Sequence, residues 1–450
     1  MPLELEVRPA AARLEVFPAP APAAAPASRR SINFIGKAAF AISDQALFSG
    51  ANFAVNILLA RWLAPAEYGA FSLAYSVFLL FAVVHTALLI EPLMVFGSGK
   101  YKRVFPSYVR VLLRAHWALM GPGTVLLFVT AFVLGKVYSG TARSAFTGLA
   151  FSGAAILLFW LVRRVFYVLL QPGWGVLGGA LYFTGVMGCM WILQATGRLS
   201  TATAFAAMGV ASLMASLILL VRFGTAVLQR SSEPTLREVA ADHWRYGRWA
   251  IASSAISWFP ASIYYALLPA WLGLEASAAL RALMNFIMPV LQAIAALSML
   301  LVPMLVRDRD SGGFRRMNRT MLRFLTLFSG GAVLYGAALW LARGQVFQWF
   351  YAGKYGQYAG WPFLLAGLLP LGTCATAVLG NGLRALERPD QTFWCYLGSV
   401  VSALAAGIPL ARSFGVTGAL LGLHLSSSVT AGMMGWLYWR ISTNSERAVA

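Results

Sequence analysis

The chain reads as an all-α integral membrane protein, with about twelve transmembrane helices in two six-helix lobes around a central cavity and both termini cytoplasmic. Three observations predict this class. Hydrophobic residues make up 59% of the 450 and charged residues 11%, with a mean hydropathy of +0.71, whereas about a quarter of a soluble domain is charged. Apolar runs near the ~20 residues that cross hydrocarbon recur along almost the whole chain. Basic residues collect in alternate loops between those runs. No room remains for a soluble domain larger than a tail.

Residues 1–37 form the first segment. The first 28 are rich in Ala and Pro, carry Glu4, Glu6 and Glu15, and lack an apolar core, so they read as a disordered cytoplasmic tail and not as a secretory signal. Spans are placed near 40–60, 69–90, 115–134, 145–162, 174–194, 201–221, 249–271, 277–304, 324–342, 361–383, 393–411 and 416–439. They divide into an N-lobe (38–221), a linker (222–248), a C-lobe (249–440) and a short cytoplasmic tail (441–450). Arg163 and Arg164 interrupt the fourth apolar stretch, which resumes at Val165; the alternative to a span that ends there is one long tilted helix whose arginines snorkel. In the linker, Thr235 and Glu238 fit a capping box ahead of a helical pattern through Trp244, predicting an amphipathic helix on the cytoplasmic surface.

Assigning the loops alternately to two sides places 25 Lys and Arg on the side of the N-terminus and seven on the other. That bias puts both termini in the cytoplasm and requires an even number of spans. It also accounts for the net charge of +20, with anionic membrane lipids as the partner and no nucleic acid. Cys189, Cys374 and Cys395 lie in apolar runs without CxxC spacing, so they are packing residues and neither a metal site nor a disulfide framework is expected.

The candidate substrate path follows from polar lines on apolar helices. Span one aligns Gln45, Ser49, Asn52 and Asn56. Span two carries Tyr68, Ser72, Ser76 and Thr86 near one face. Span seven has Ser253, Ser257 and Tyr264 with Pro260, and span eight has Arg281, Asn285 and Gln292 within about 40°. Such residues either line a cavity or join helices by hydrogen bonds; Arg281 must snorkel, pair or bind an anion. Asp44 and Glu91 are candidates for ion coupling, Asp44 lying a quarter turn off the stripe, while His85 and His116 read as structural. Pro260, Pro289, Pro303 and, more weakly, Gly50 are positioned to bend the lining helices.

A shift of 209 residues aligns Ile42, Ala46, Leu58, Leu59, Trp62 and Leu63 with Ile251, Ala255, Leu267, Leu268, Trp271 and Leu272, pairing span one with span seven as a duplicated transporter requires. Enzymatic motifs are missing. Gly97-Ser98-Gly99-Lys100 resembles the end of a phosphate loop, but Met94 and Tyr101 stand where that pattern needs Gly and Ser or Thr. No cofactor is expected. The outward loops near 135–144 and 343–360 are short and contain no acidic residue, which argues against a membrane-embedded polymerase or glycosyltransferase.

The stretch NILLARWLAPAEYGAF, Asn56 to Phe71, resembles the first hairpin of the polysaccharide transporters, the O-antigen and exopolysaccharide flippases of the multidrug/oligosaccharidyl-lipid/polysaccharide exporter superfamily. Ala64 and Ala66 depart from the commonest residues there. The resemblance implies a two-lobed fold with a cavity lined by spans one, two, seven and eight. It also implies that undecaprenyl-diphosphate-linked oligosaccharide crosses the bacterial inner membrane by ion-coupled alternating access, alongside polysaccharide-assembly proteins. Drug or lipid exporters of the same superfamily are the alternative. Arg281 is, by its position, the residue to meet the diphosphate or an acidic sugar.

Overall fold

The computed structural model describes residues 27–137, 139–224, 234–386 and 388–449, all in helices and short connections without a strand. Most of the expected tail, residues 1–26, lies outside the described residues, as does linker segment 225–233. α1 (Ala27–Trp62) already begins inside the expected tail and runs straight through Gly50. Leu63 and Ala64 turn the chain into α2 (Pro65–His85), which passes through a π-helical turn into α3 (Glu91–Phe96). Pro65 suits this start because its missing N–H would have no partner in a first helical turn.

Four helices complete the N-terminal half: α4 (Phe105–Val137), α5 (Ser139–Val168), α6 (Pro172–Ala195) and α7 (Thr201–Phe223). α1 lies along α6, and α5 packs on α2, α4 and α7. α8 (Leu236–Ser262) starts at the predicted capping box, where Thr235 Oγ1 accepts from Glu238 N at 3.2 Å and Glu238 Oε2 accepts from Thr235 N at 3.0 Å. The expected surface helix, however, is not a separate element. It continues without a break into span seven, and its first turns dock on the N-terminal half. Asp242 accepts from Tyr101 at 2.5 Å and pairs with Lys100. His243 donates from Nδ1 to the Leu88 carbonyl at 2.6 Å and accepts at Nε2 from Tyr108 at 2.7 Å.

α9 (Tyr264–Leu272) and α10 (Leu274–Asn285) follow α8, and α11 (Met288–Leu341) leaves α10 at a 50° bend with Pro289 in its first turn. α11 breaks at Gly312 and Gly313, the latter at φ 61°. Asp308 there meets both Arg316 and Thr320 across the break, so the chain reverses. The short α12 (Arg343–Tyr351) precedes α13 (Trp361–Ala385) and α14 (Pro389–Ser402). α15 (Ile408–Val449) contains a second reversal at Gly415, flanked by contacts of Ser402 with Ser426 and of Gly407 with Gly422.

Nine helices among the described residues are long and apolar enough to cross a membrane, or ten with the bent α10–α11 pair taken as one span. The expected count of twelve is therefore approximate. α1 and the two arms around Gly415 separate the two counts.

The buried clusters show how the halves meet. One large cluster joins them at the end of the bundle that holds Arg61 and Lys354, uniting Leu59, Tyr68 and Phe71 with Leu283, Phe286 and Tyr351. Toward the arginine-rich loops the cores are separate: Leu93, Tyr108 and Val165 belong to one, Leu305, Met317 and Leu383 to another. The halves are thus sealed at one end and splayed at the other. Helices in lipid gain nothing by hiding apolar surface from one another, so close backbone approach must supply the attraction. Gly69 permits that approach at the seal, because a Cβ there would lie 1.8 Å from the Leu274 carbonyl oxygen.

Candidate functional site

Beside the seal, α2 and α10 pack together and carry the polar residues across the junction. Asn285 Nδ2 donates to Tyr68 Oη at 2.9 Å and lies 3.3 Å from Tyr351 Oη, and Tyr351 in turn donates to the Ala282 carbonyl at 2.8 Å. Tyr68 donates to Asn56 Oδ1 at 3.5 Å. Asn56 and Asn52 each use Nδ2 on the carbonyl four residues earlier, and Tyr182 donates to Asn52 Oδ1 at 3.5 Å. A hydrogen-bonded line therefore runs from span one through span two into span eight.

Arg281 sits one helical turn from Asn285 and is 5% exposed. Its guanidinium carbon lies 4.4 Å from the ring centre of Tyr265 and 5.1 Å from that of Tyr75, one ring from each half of the protein. Its Nε and Nη2 have no hydrogen-bond partner, and no carboxylate pairs with it among the described residues. The aromatic faces offset part of the cost of burial, yet directional N–H donors remain free. A guanidinium in that condition is suited to a carboxylate or phosphate.

The other predicted residues divide. Ser72 and Ser76 are buried and donate to Tyr68 and Leu73 carbonyls on their own helix. Gln45 is exposed and bonded to Ser49 at 3.0 Å; Ser253, Ser257 and Gln292 are exposed where the halves diverge. Tyr264 is turned away from Arg281, its hydroxyl held between Gly407 and Gly422. Glu91 is half-buried just after the π-helical turn. His85 and His116 are buried and bonded to each other at 2.9 Å.

Asp44 is fully buried inside the N-terminal half. It accepts from Tyr167 and faces Arg163 Nη1 at 3.4 Å, while Gly175 and Gly179 leave it room. Arg163 therefore does not snorkel. It is 3% exposed, pairs with Asp44 and stacks over Phe48 at 4.1 Å, while its Nε and Nη1 make no hydrogen bond among the described residues. Tyr75 was legible as the i+7 companion of Tyr68 and the i+3 companion of Ser72. Tyr265, Tyr351 and Arg163 were not, since nothing local marks their partners.

The sealed end carries its own polar lock. Lys354 Nζ donates to the Arg61 and Leu63 carbonyls at 2.6 and 2.7 Å, and Arg61 donates to the Trp349 carbonyl. Burial, with the nearby Arg61 charge, holds the Lys354 ammonium below its ordinary pKa.

No family model and no curated protein sequence matches the chain. Solved structures do. The inward-facing conformation of a multidrug resistance MATE family transporter of the MOP superfamily is 13% identical over 90% of this chain and 96% of its own, with a TM-score of 0.76. Lipid II flippase MurJ in an inward closed conformation is 11% identical over 90% of both chains, at 0.71. An outward-facing conformation of a MATE family transporter gives 0.60 at 14% identity, over 92% of this chain and 96% of that one. The chain thus has the fold of MOP-superfamily transporters.

Proposed function

We propose that this protein is a flippase of the bacterial inner membrane that carries undecaprenyl-diphosphate-linked oligosaccharide from the cytoplasmic to the periplasmic leaflet for surface polysaccharide assembly. The observation that carries the reading is the buried, unpaired guanidinium of Arg281, caged by one tyrosine from each half. A diphosphate supplies the missing acceptors in a setting of low dielectric, where charge-assisted bonds are strong. A cationic drug would meet the same charge unfavourably, so the exporter alternative is disfavoured. The fold shared with a lipid II flippase agrees with a lipid-linked substrate.

The 25-to-7 loop bias places the arginine-rich, splayed end in the cytoplasm, so the cavity in this conformation receives substrate from inside. Transport then requires the Lys354 and Tyr68–Asn285 contacts to part while the cytoplasmic ends close. Asp44 is the stronger candidate for ion coupling, since protonation would release Arg163 from a pair that both charges now need; Glu91 is the alternative. Polysaccharide-assembly proteins are the natural partners of such a step.

The test replaces Arg281 with Gln and with Lys. Export of surface polysaccharide should fall at least about tenfold in Arg281→Gln, as expected when a charge-assisted contact is removed, with the protein still in the membrane. Arg281→Lys should recover part of it. Normal export from Arg281→Gln would remove the residue from the site and the reading with it.

A further inference from the structure

A cavity lies wholly in the C-terminal half, between the first arm of α11, α13 and α14. Its volume is about 430 Å³, within the range of small-molecule sites. Leu291 and Ile294 form an aliphatic wall, and Ser298, Asn381, Arg384 and Tyr396 bring polar groups to it. No acidic residue is among the described residues that line it.

Polar residues that join membrane helices bond across the helix interface. These do not. Ser298 Oγ is buried with no partner among the described residues. Asn381 is 4% exposed, and its Oδ1 accepts from Arg384 Nη1 on its own helix at 3.5 Å. A buried hydroxyl left without a partner is costly unless a ligand completes it.

We infer that this cavity is a subsite for an acidic sugar, with Arg384 holding the carboxylate, Ser298, Asn381 and Tyr396 meeting ring hydroxyls, and the aliphatic wall covering a C–H face. The assignment rests on the flippase reading and extends it to the class of glycan. Span eight links the two sites: from Arg281 to Leu291 and Ser298 the helical rise spans roughly 15–25 Å, so one extended ligand can reach from diphosphate to glycan. Arg384 stands at the arginine-rich end, where the halves diverge and a cytoplasmic glycan would enter.

The full chain, purified in lipid nanodiscs, is titrated by thermal shift with sodium glucuronate, with glucose and with inorganic pyrophosphate. Glucuronate should stabilise the wild type more than glucose does. Arg384→Gln should weaken the glucuronate response about tenfold or more and leave the pyrophosphate response intact; Arg281→Gln should do the reverse. Ser298→Ala, which removes one hydroxyl from a site already open, tests the same cavity if Arg384→Gln fails to fold. The inference is overturned if glucuronate stabilises the wild type no better than glucose, or if the cavity variants respond to it like the wild type. Loss of the pyrophosphate response alone, with glucuronate specificity kept, would sink the diphosphate reading and leave this subsite standing.

Discussion

Two arginines inside the helical bundle meet opposite conditions, and the contrast separates structure from function at the residue scale. Arg163 has a carboxylate, Asp44, and a ring to lie on; Arg281 has rings and, among the described residues, no carboxylate. Breaking a buried pair leaves one charge uncompensated, which costs about 3–5 kcal/mol. Asp44→Asn should therefore destabilise the protein by that order in detergent unfolding. The double change Asp44→Leu with Arg163→Met should restore most of the loss, and a double variant no more stable than the single one would show that the pair is not what holds these helices. Arg281→Met, by contrast, should leave unfolding unchanged or improved, because relief from burying an unpaired charge outweighs the two ring contacts that are lost.

At the scale of elements, the first hairpin turn proves to be an interface. Its recognisable residues each touch the other half or shape the turn itself: Arg61 reaches the Trp349 carbonyl, Glu67 accepts from Ala64 N at 3.3 Å, Tyr68 meets Asn285, and Gly69 lies against the Leu274 backbone. The 209-residue shift aligns Pro65, where α2 starts, with Leu274, where α10 starts, and places Ser72 on Arg281 and Ser76 on Asn285. The helices that pack together at the seal are thus equivalent positions of the two halves. Gly69→Val should push α2 and α10 apart, since its Cβ has no space. Lys354→Met should loosen the same seal by removing two hydrogen bonds, each worth roughly 1.5–3 kcal/mol for a charged donor. In a cysteine-free background carrying Ser72→Cys, both changes should raise labelling by a membrane-impermeant maleimide added from the periplasmic side. Unchanged labelling would mean that these contacts do not gate the cavity.

For the whole molecule, the charge distribution makes the orientation testable. A cysteine at Arg315 should be labelled only from the cytoplasmic face and one at Trp349 only from outside; the reverse pattern would invert the proposed direction of transport.

What the sequence by itself determined is the class of molecule, the approximate number and order of helices, the helix start at Thr235 and the polar faces of spans one, two and eight. Those follow from local rules: hydropathy over a window, a capping box, a 100° step per residue. The tertiary structure alone decided which polar residues are used up and which remain free. Gln45, Ser72 and Arg281 lie on similar stripes, yet Ser72 satisfies itself on its own backbone, Gln45 bonds a neighbour, and Arg281 keeps unbonded donors. Satisfaction of a buried polar group depends on what another helix brings to it, and that information is not local. For the same reason Asp44 found Arg163 across 119 residues of chain, and the cavity at Ser298, Asn381 and Tyr396 came into view only when three helices met.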